Sequence, residues 1–203
     1  MTSPVTGGDL LGQAIGYALR SVAAVTPMLL TRPTPCADWD LLMLLRHSCE
    51  SLSALGEGMD LGRVHQAAAD NDAPGTDPAE LFTARASGLL DRWSRFSWPW
   101  VCVGEQRLAV TDFAAAGALE VAVHGWDVGR ACGQRRPVPA PLAERLLAVA
   151  PLLVTDADRA SPPGQGASSA PLFGPPVAIR PTASASDRLT AFLGRTWSCE
   201  QPE

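Results

Sequence analysis

The stretch from Thr111 to Gly133, TDFAAAGALEVAVHGWDVGRACG, decides how this chain is to be read. Phe113, Leu119, Val121, Val123, Trp126, Val128 and a run of alanines leave almost no polar side to a helix built from it, and helices of that kind are buried. Thr111 is placed to cap such a helix, and Gly133 follows Cys132 where a left-handed helix stop is preferred. The exceptions are Glu120, His124 and Asp127. Spacings of four and three put them in one row on the helix surface. Two readings of that row are open. As a solvent edge it holds an ordinary Glu120–His124 surface pair worth a few tenths of a kcal/mol. Turned inward, a carboxylate and an imidazole need partners, because leaving them unpaired costs several kcal/mol, and a metal cation satisfies both.

A metal needs a further ligand, and histidine is scarce: the chain has only His47, His65 and His124. His65 lies in the polar stretch GRVHQAAADND, whereas His47 sits beside an apolar helical stripe, which makes His47 the better candidate. Two histidines and one carboxylate with open positions match both a catalytic zinc site and the facial iron arrangement. Asp127, one turn beyond His124, is a candidate to contact substrate or to orient a ligand, with a helix-end salt bridge to Arg130 as its structural alternative. Trp39 and Trp126 are candidates to line the cleft, or else core aromatics.

The other elements follow the same local rules. Apolar residues from Leu10 to Val25 recur at helical spacing before Pro27 intervenes. Asp38 or Asp40 can cap a second helix over 41–56, and Asp77, Pro78 and Glu80 open a third that runs to about Phe96. Residues 101–103 and 107–110 read as two short extended pieces around a Gly-Glu-Gln turn. A fifth helix is expected over 142–155 and a last one over 187–193, capped by Ser184 or Ser186. The stretch 161–180, opening SPPGQGASSAPLFGPP, reads as a Pro/Gly/Ser-rich loop or lid. No repeat and no alternation of strands with helices occurs. The expectation is a mainly all-α domain spanning the 203 residues.

Composition excludes several classes. A net charge of -5 provides no basic footprint for nucleic acid. All sixteen basic residues are arginine, which removes Schiff-base chemistry, a P-loop lysine and a lysine general base. Five dispersed cysteines without a CxxC pair read as free thiols of a reducing compartment. Cys36 and Cys49 have no matched His/Asp arrangement that would make either a nucleophile. No basic leader with an apolar core precedes the first helix, and no window nears ~18 uninterrupted apolar residues, so no membrane partner and a cytoplasmic location are expected.

Three segments carry a family resemblance: PTPCADWDLLMLLRHSCE (33–50), LEVAVHGWDVGRACGQ (119–134) and LFGPPVAIRPTASASDRLTAFLGR (172–195). In this order they resemble the DinB-like metal-binding proteins of actinobacteria and are similar to the N-terminal domain of mycothiol-dependent maleylpyruvate isomerase. The resemblance spans about Leu10 to Arg195. It implies a four-helix bundle with a divalent metal between the second and fourth helices, and carries the ligand roles onto His47, Glu120 and His124. Zinc is the first choice, nickel or iron the alternatives, and mycothiol a candidate co-substrate whose thiol the metal would activate. The isomerase has a further C-terminal domain, whereas this chain ends soon after the bundle, so a different substrate is expected. Three functions stay open: a metal-dependent thiol transferase or isomerase, a thiol-independent Lewis-acid enzyme of a natural-product pathway, and a non-catalytic metal- or small-molecule-binding module. In each the partner is a small molecule, and the chain is a monomer or homodimer.

Overall fold

A computed structural model describes residues 7–36, 39–65, 75–156, 159 and 173–195. Four helices form the bundle: α1 (Gly7–Val22), α2 (Leu41–Leu61), α3 (Pro78–Arg95) and α4 (Val110–Ala131). α4 packs against α1 and α2, and α3 closes the ring by packing against the same two. α5 (Ala140–Leu153) lies against α4 and α1, and α6 (Ala185–Phe192) packs on α5. The fold is mainly α-helical, as expected.

α4 is the central element. Every residue from Phe113 to Ala131 is buried except Ala116, Glu120 and Arg130. Its closest approach is to α1: a Cβ placed on Gly125 would lie 2.8 Å from the Ala18 Cα, so only glycine permits this crossing. Its register with α2 is antiparallel. Gly58 faces Phe113, Leu55 faces Gly117 and Ser51 faces Glu120, so positions rising along one helix meet positions falling along the other.

Several boundaries differ from the expectation. α2 continues past Gly56 to Leu61 and stops at Gly62, whose φ of 67° is left-handed. Gly56 and Gly58 sit inside it because neighbours occupy their space: a Cβ on Gly58 would meet the Phe113 ring at 2.6 Å. α1 ends at Val22, short of Val25, and a 3-10 turn takes Pro27–Leu29. Thr111 does not cap α4, which begins at Val110 with Ala109 in the cap position and no side-chain cap bond. α5 starts two residues earlier than expected, at Ala140, directly after Pro139. The caps Asp40, Asp77 and Ser184 each accept backbone N–H groups of the following turn.

The extended pieces pair as β2 (Trp100–Val103) with β3 (Gln106–Ala109), antiparallel. A third strand, β1 (Arg63–Val64), joins β2 in parallel and was not foreseen, since two residues carry no periodicity. Of the stretch expected to be a loop or lid, 161–172 lies outside the described residues, as do Asp38 and Cys199. From Phe173 onward it is irregular, with Phe173 buried and the Val177 N–H bonded to the Ala191 carbonyl at 2.9 Å. No helix among the described residues is long and apolar enough to cross a membrane.

Candidate metal centre

The antiparallel register continues from Ser51–Glu120 toward the start of α2 and brings His47 to the same carboxylate. His47 Nε2 is 2.9 Å from Glu120 Oε1, His124 Nε2 lies 3.2 Å from it, and Ser51 Oγ donates to it at 2.9 Å. His47 and Ser51 are four residues apart on α2, as Glu120 and His124 are on α4, so one helical row meets another. The row on α4 therefore faces inward, and the solvent-edge reading is set aside: the His124 side chain is 5% exposed. Glu120 and His47 are about a quarter exposed, at 24% and 23%, so the cluster is open on one side.

Behind His124 the polar chain continues into the core. His124 Nδ1 lies 3.1 Å from Asp127 Oδ2, and Asp127 has no exposed surface. The salt bridge to Arg130 is not formed. Asp127 pairs with Arg195, whose Nη2 donates to Oδ2 at 3.0 Å and whose Nε lies 3.3 Å from both oxygens, while Nη1 donates to the Leu193 carbonyl at 3.1 Å. Arg130 instead sits over the Trp126 ring, 4.9 Å from its centroid.

The charges are mutually dependent. Burial works against charge on His124, but the Glu120 carboxylate and the bond to Asp127 outweigh it and hold the imidazole up at about 9 in the metal-free protein. Burial would raise Glu120, yet His124 and His47 keep it well below the usual carboxylate range. Asp127 is likewise held low against its burial by Arg195 and His124.

Trp39 reaches the centre from the loop before α2. Its ring is 4.7 Å from the His47 ring and 6.4 Å from that of His124, centroid to centroid. The loop is braced by Thr34, whose backbone N–H donates to the Trp39 carbonyl at 3.1 Å and whose hydroxyl accepts from the Cys36 N–H at 3.2 Å. Trp126 is not brought to the cluster. Two residues beyond His124 it faces about 200° away around the helix, buried beneath Arg130. His65, passed over as a ligand, pairs with Glu57 at the surface. Two participants were not anticipated: Ser51, which its spacing from His47 would have revealed, and Arg195, for which no local signal exists.

The donor set fits a divalent cation. One ligand atom each from His47, Glu120 and His124 lie within 4.8 Å of one another. Ligands about 2.0–2.2 Å from one ion require such proximity. The bond from Nδ1 to Asp127 leaves Nε2 of His124 as the ligating nitrogen when the ring is neutral, the arrangement that orients metal-bound histidines.

The family model for the mycothiol maleylpyruvate isomerase N-terminal domain matches residues 11–129, more than half of the chain and a range that contains His47, Glu120 and His124. Two curated relatives from Mycobacterium tuberculosis, the uncharacterized proteins MT0763 (strain CDC 1551 / Oshkosh) and Rv0738 (strain ATCC 25618 / H37Rv), are each 29% identical over 169 residues, covering 81% of this chain and 84% of the relative. No solved structure gives a significant match. With a model match of that extent, the chain belongs to the mycothiol maleylpyruvate isomerase N-terminal domain family.

Proposed function

We propose that the chain is a divalent-metal-dependent enzyme of the mycothiol transferase or isomerase type, acting on a small molecule, with His47, Glu120 and His124 as the metal ligands. The observation that carries this reading is the convergence of those three side chains from two helices, open on one side and backed by a buried carboxylate. A cation held there, zinc before nickel or iron, would supply a Lewis acid able to lower the pKa of a thiol or polarise a substrate oxygen. Asp127 is a positioning residue: it holds the His124 Nδ1 proton, and Arg195 holds Asp127 in turn. Ser51 orients the Glu120 carboxylate, and Trp39 screens both histidine rings from water.

Elemental analysis of the purified protein and calorimetric titration of the metal-free chain with zinc and nickel test the ligand set. One tightly bound ion per chain is expected, with binding lost in His124→Ala. Absence of stoichiometric metal, together with unchanged zinc-induced stabilisation in His124→Ala, refutes it. Mycothiol-dependent consumption of candidate electrophiles tests the thiol; turnover that continues without any thiol would favour the Lewis-acid enzyme instead.

A further inference from the structure

Beside the proposed metal centre lies a cavity of about 350 Å³ in which Glu120 and Ser51 are the polar members of the wall. It follows the seam between α2 and α4. Phe113, Ala116, Gly117 and Glu120 line it along one face of α4, a run of eight residues or about 10 Å of helix. Across the seam stand Ser51, Ala54 and Leu55. The sheet, the end of α5 and Phe173 close the remainder with apolar side chains. The space exists because the facing positions are small: Ala54 and Ala116 extend no further than Cβ, and Gly117 lets the Leu55 side chain settle where a Cβ would stand, 2.7 Å from its Cδ2.

We infer that this cavity binds a neutral apolar arm of the substrate, an alkyl, acyl or aryl group, while the reacting polar group rests at the Glu120 end. The inference rests on the proposed metal site and names the class of molecule that site serves. Its size falls within the range of small-molecule pockets, and such pockets combine an apolar lining with few polar anchors. Among the described residues no arginine or histidine lines it, and Glu120 is the charged side chain in its wall. A carboxylate arm laid along this apolar wall would lose its water with no cationic side chain among the described lining residues to pair it, so dicarboxylates are selected against. Ala54 and Ala116 then act as specificity determinants, setting how large the arm can be.

The test is calorimetric binding of straight-chain hydroxamic acids, from acetohydroxamic to octanohydroxamic acid, to the zinc-loaded chain, with the matching alkyl amides as probes that lack a metal-binding head. Affinity is expected to rise about fourfold per added methylene until the cavity is full. Succinate monohydroxamate, extended but charged, should gain nothing over acetohydroxamic acid. Ala116→Phe, at a partly exposed wall position, should flatten the chain-length dependence while metal stoichiometry confirms a folded site. A hydroxamate affinity independent of chain length in the unsubstituted protein overturns the inference. If hydroxamates bind no better than amides while both series still tighten with length, the metal reading fails and the cavity assignment stands.

Discussion

Replacing Asp127 with asparagine preserves shape and removes one charge at a position with no exposed surface. In the native protein that carboxylate is shared by Arg195, itself buried, and by His124. Asp127→Asn takes away the carboxylate that Arg195 donates to and leaves a neutral amide oxygen in its place, beside the Leu193 carbonyl. Removing one partner of a buried ion pair costs about 3–5 kcal/mol, because the remaining charge is no longer compensated. For a domain of this size each kcal/mol lowers Tm by about 2–4 °C, so a fall of roughly 6–20 °C is expected by calorimetry of the metal-free protein. Metal affinity should drop about 10–100-fold as well, since the amide no longer fixes the His124 ring as firmly. A double substitution, Asp127→Leu with Arg195→Met, removes both charges and should recover most of the thermal stability but not the metal affinity. If Asp127→Asn shifts Tm by less than about 2 °C, or the double substitution is as unstable as the single one, the buried-pair reasoning is wrong.

Protons compete with the metal at His124. Its pKa in the metal-free protein is raised to about 9, so the stability it contributes is complete below its ordinary value of 6.5 and is lost as pH rises through about 9. Metal must displace that proton, so zinc affinity measured between pH 6 and 9 should climb steadily and its binding should release protons to the buffer. Tyr17, pushed up to about 12 mainly by burial, makes the fold lose stability as pH rises from 10 to 12, and Tyr17→Phe should remove that dependence in urea melts. Gly125→Ala forces a methyl group against the backbone of α1 and should cost about 1–3 kcal/mol. Gly88→Ala meets only the mobile end of Arg92 and should stabilise α3 by up to about 1 kcal/mol; equal effects at the two glycines in denaturant unfolding would contradict the packing account.

What could be read in advance followed the range of the information. Helix α4 and the row Glu120, His124, Asp127 are local patterns, set by a repeat of three to four residues, and they held. α2 runs past the expected end at Gly56 because backbone freedom alone makes that glycine look like a stop, whereas in the fold Arg92 fills the space beside Gly56 and Phe113 that beside Gly58. The bond from Ser51 to Glu120 was visible in principle, four residues from His47. Trp39 and Trp126 are alike in sequence as aromatic neighbours of the proposed ligands; helix phase turns Trp126 away, whereas the loop before α2 carries Trp39 to the two histidine rings.

The sequence by itself therefore determined a mainly α-helical chain, the apolar character of its fourth helix and the candidate trio His47, Glu120 and His124, since periodicity and residue scarcity are properties of the chain alone. Tertiary structure decided that the polar row points inward, that Asp127 answers to Arg195 rather than Arg130, and that an apolar cavity adjoins Glu120. Those depend on which surfaces meet. A contact across 68 residues, or a void left by two alanines and a glycine on facing helices, leaves no trace in spacing and arises only when the helices pack.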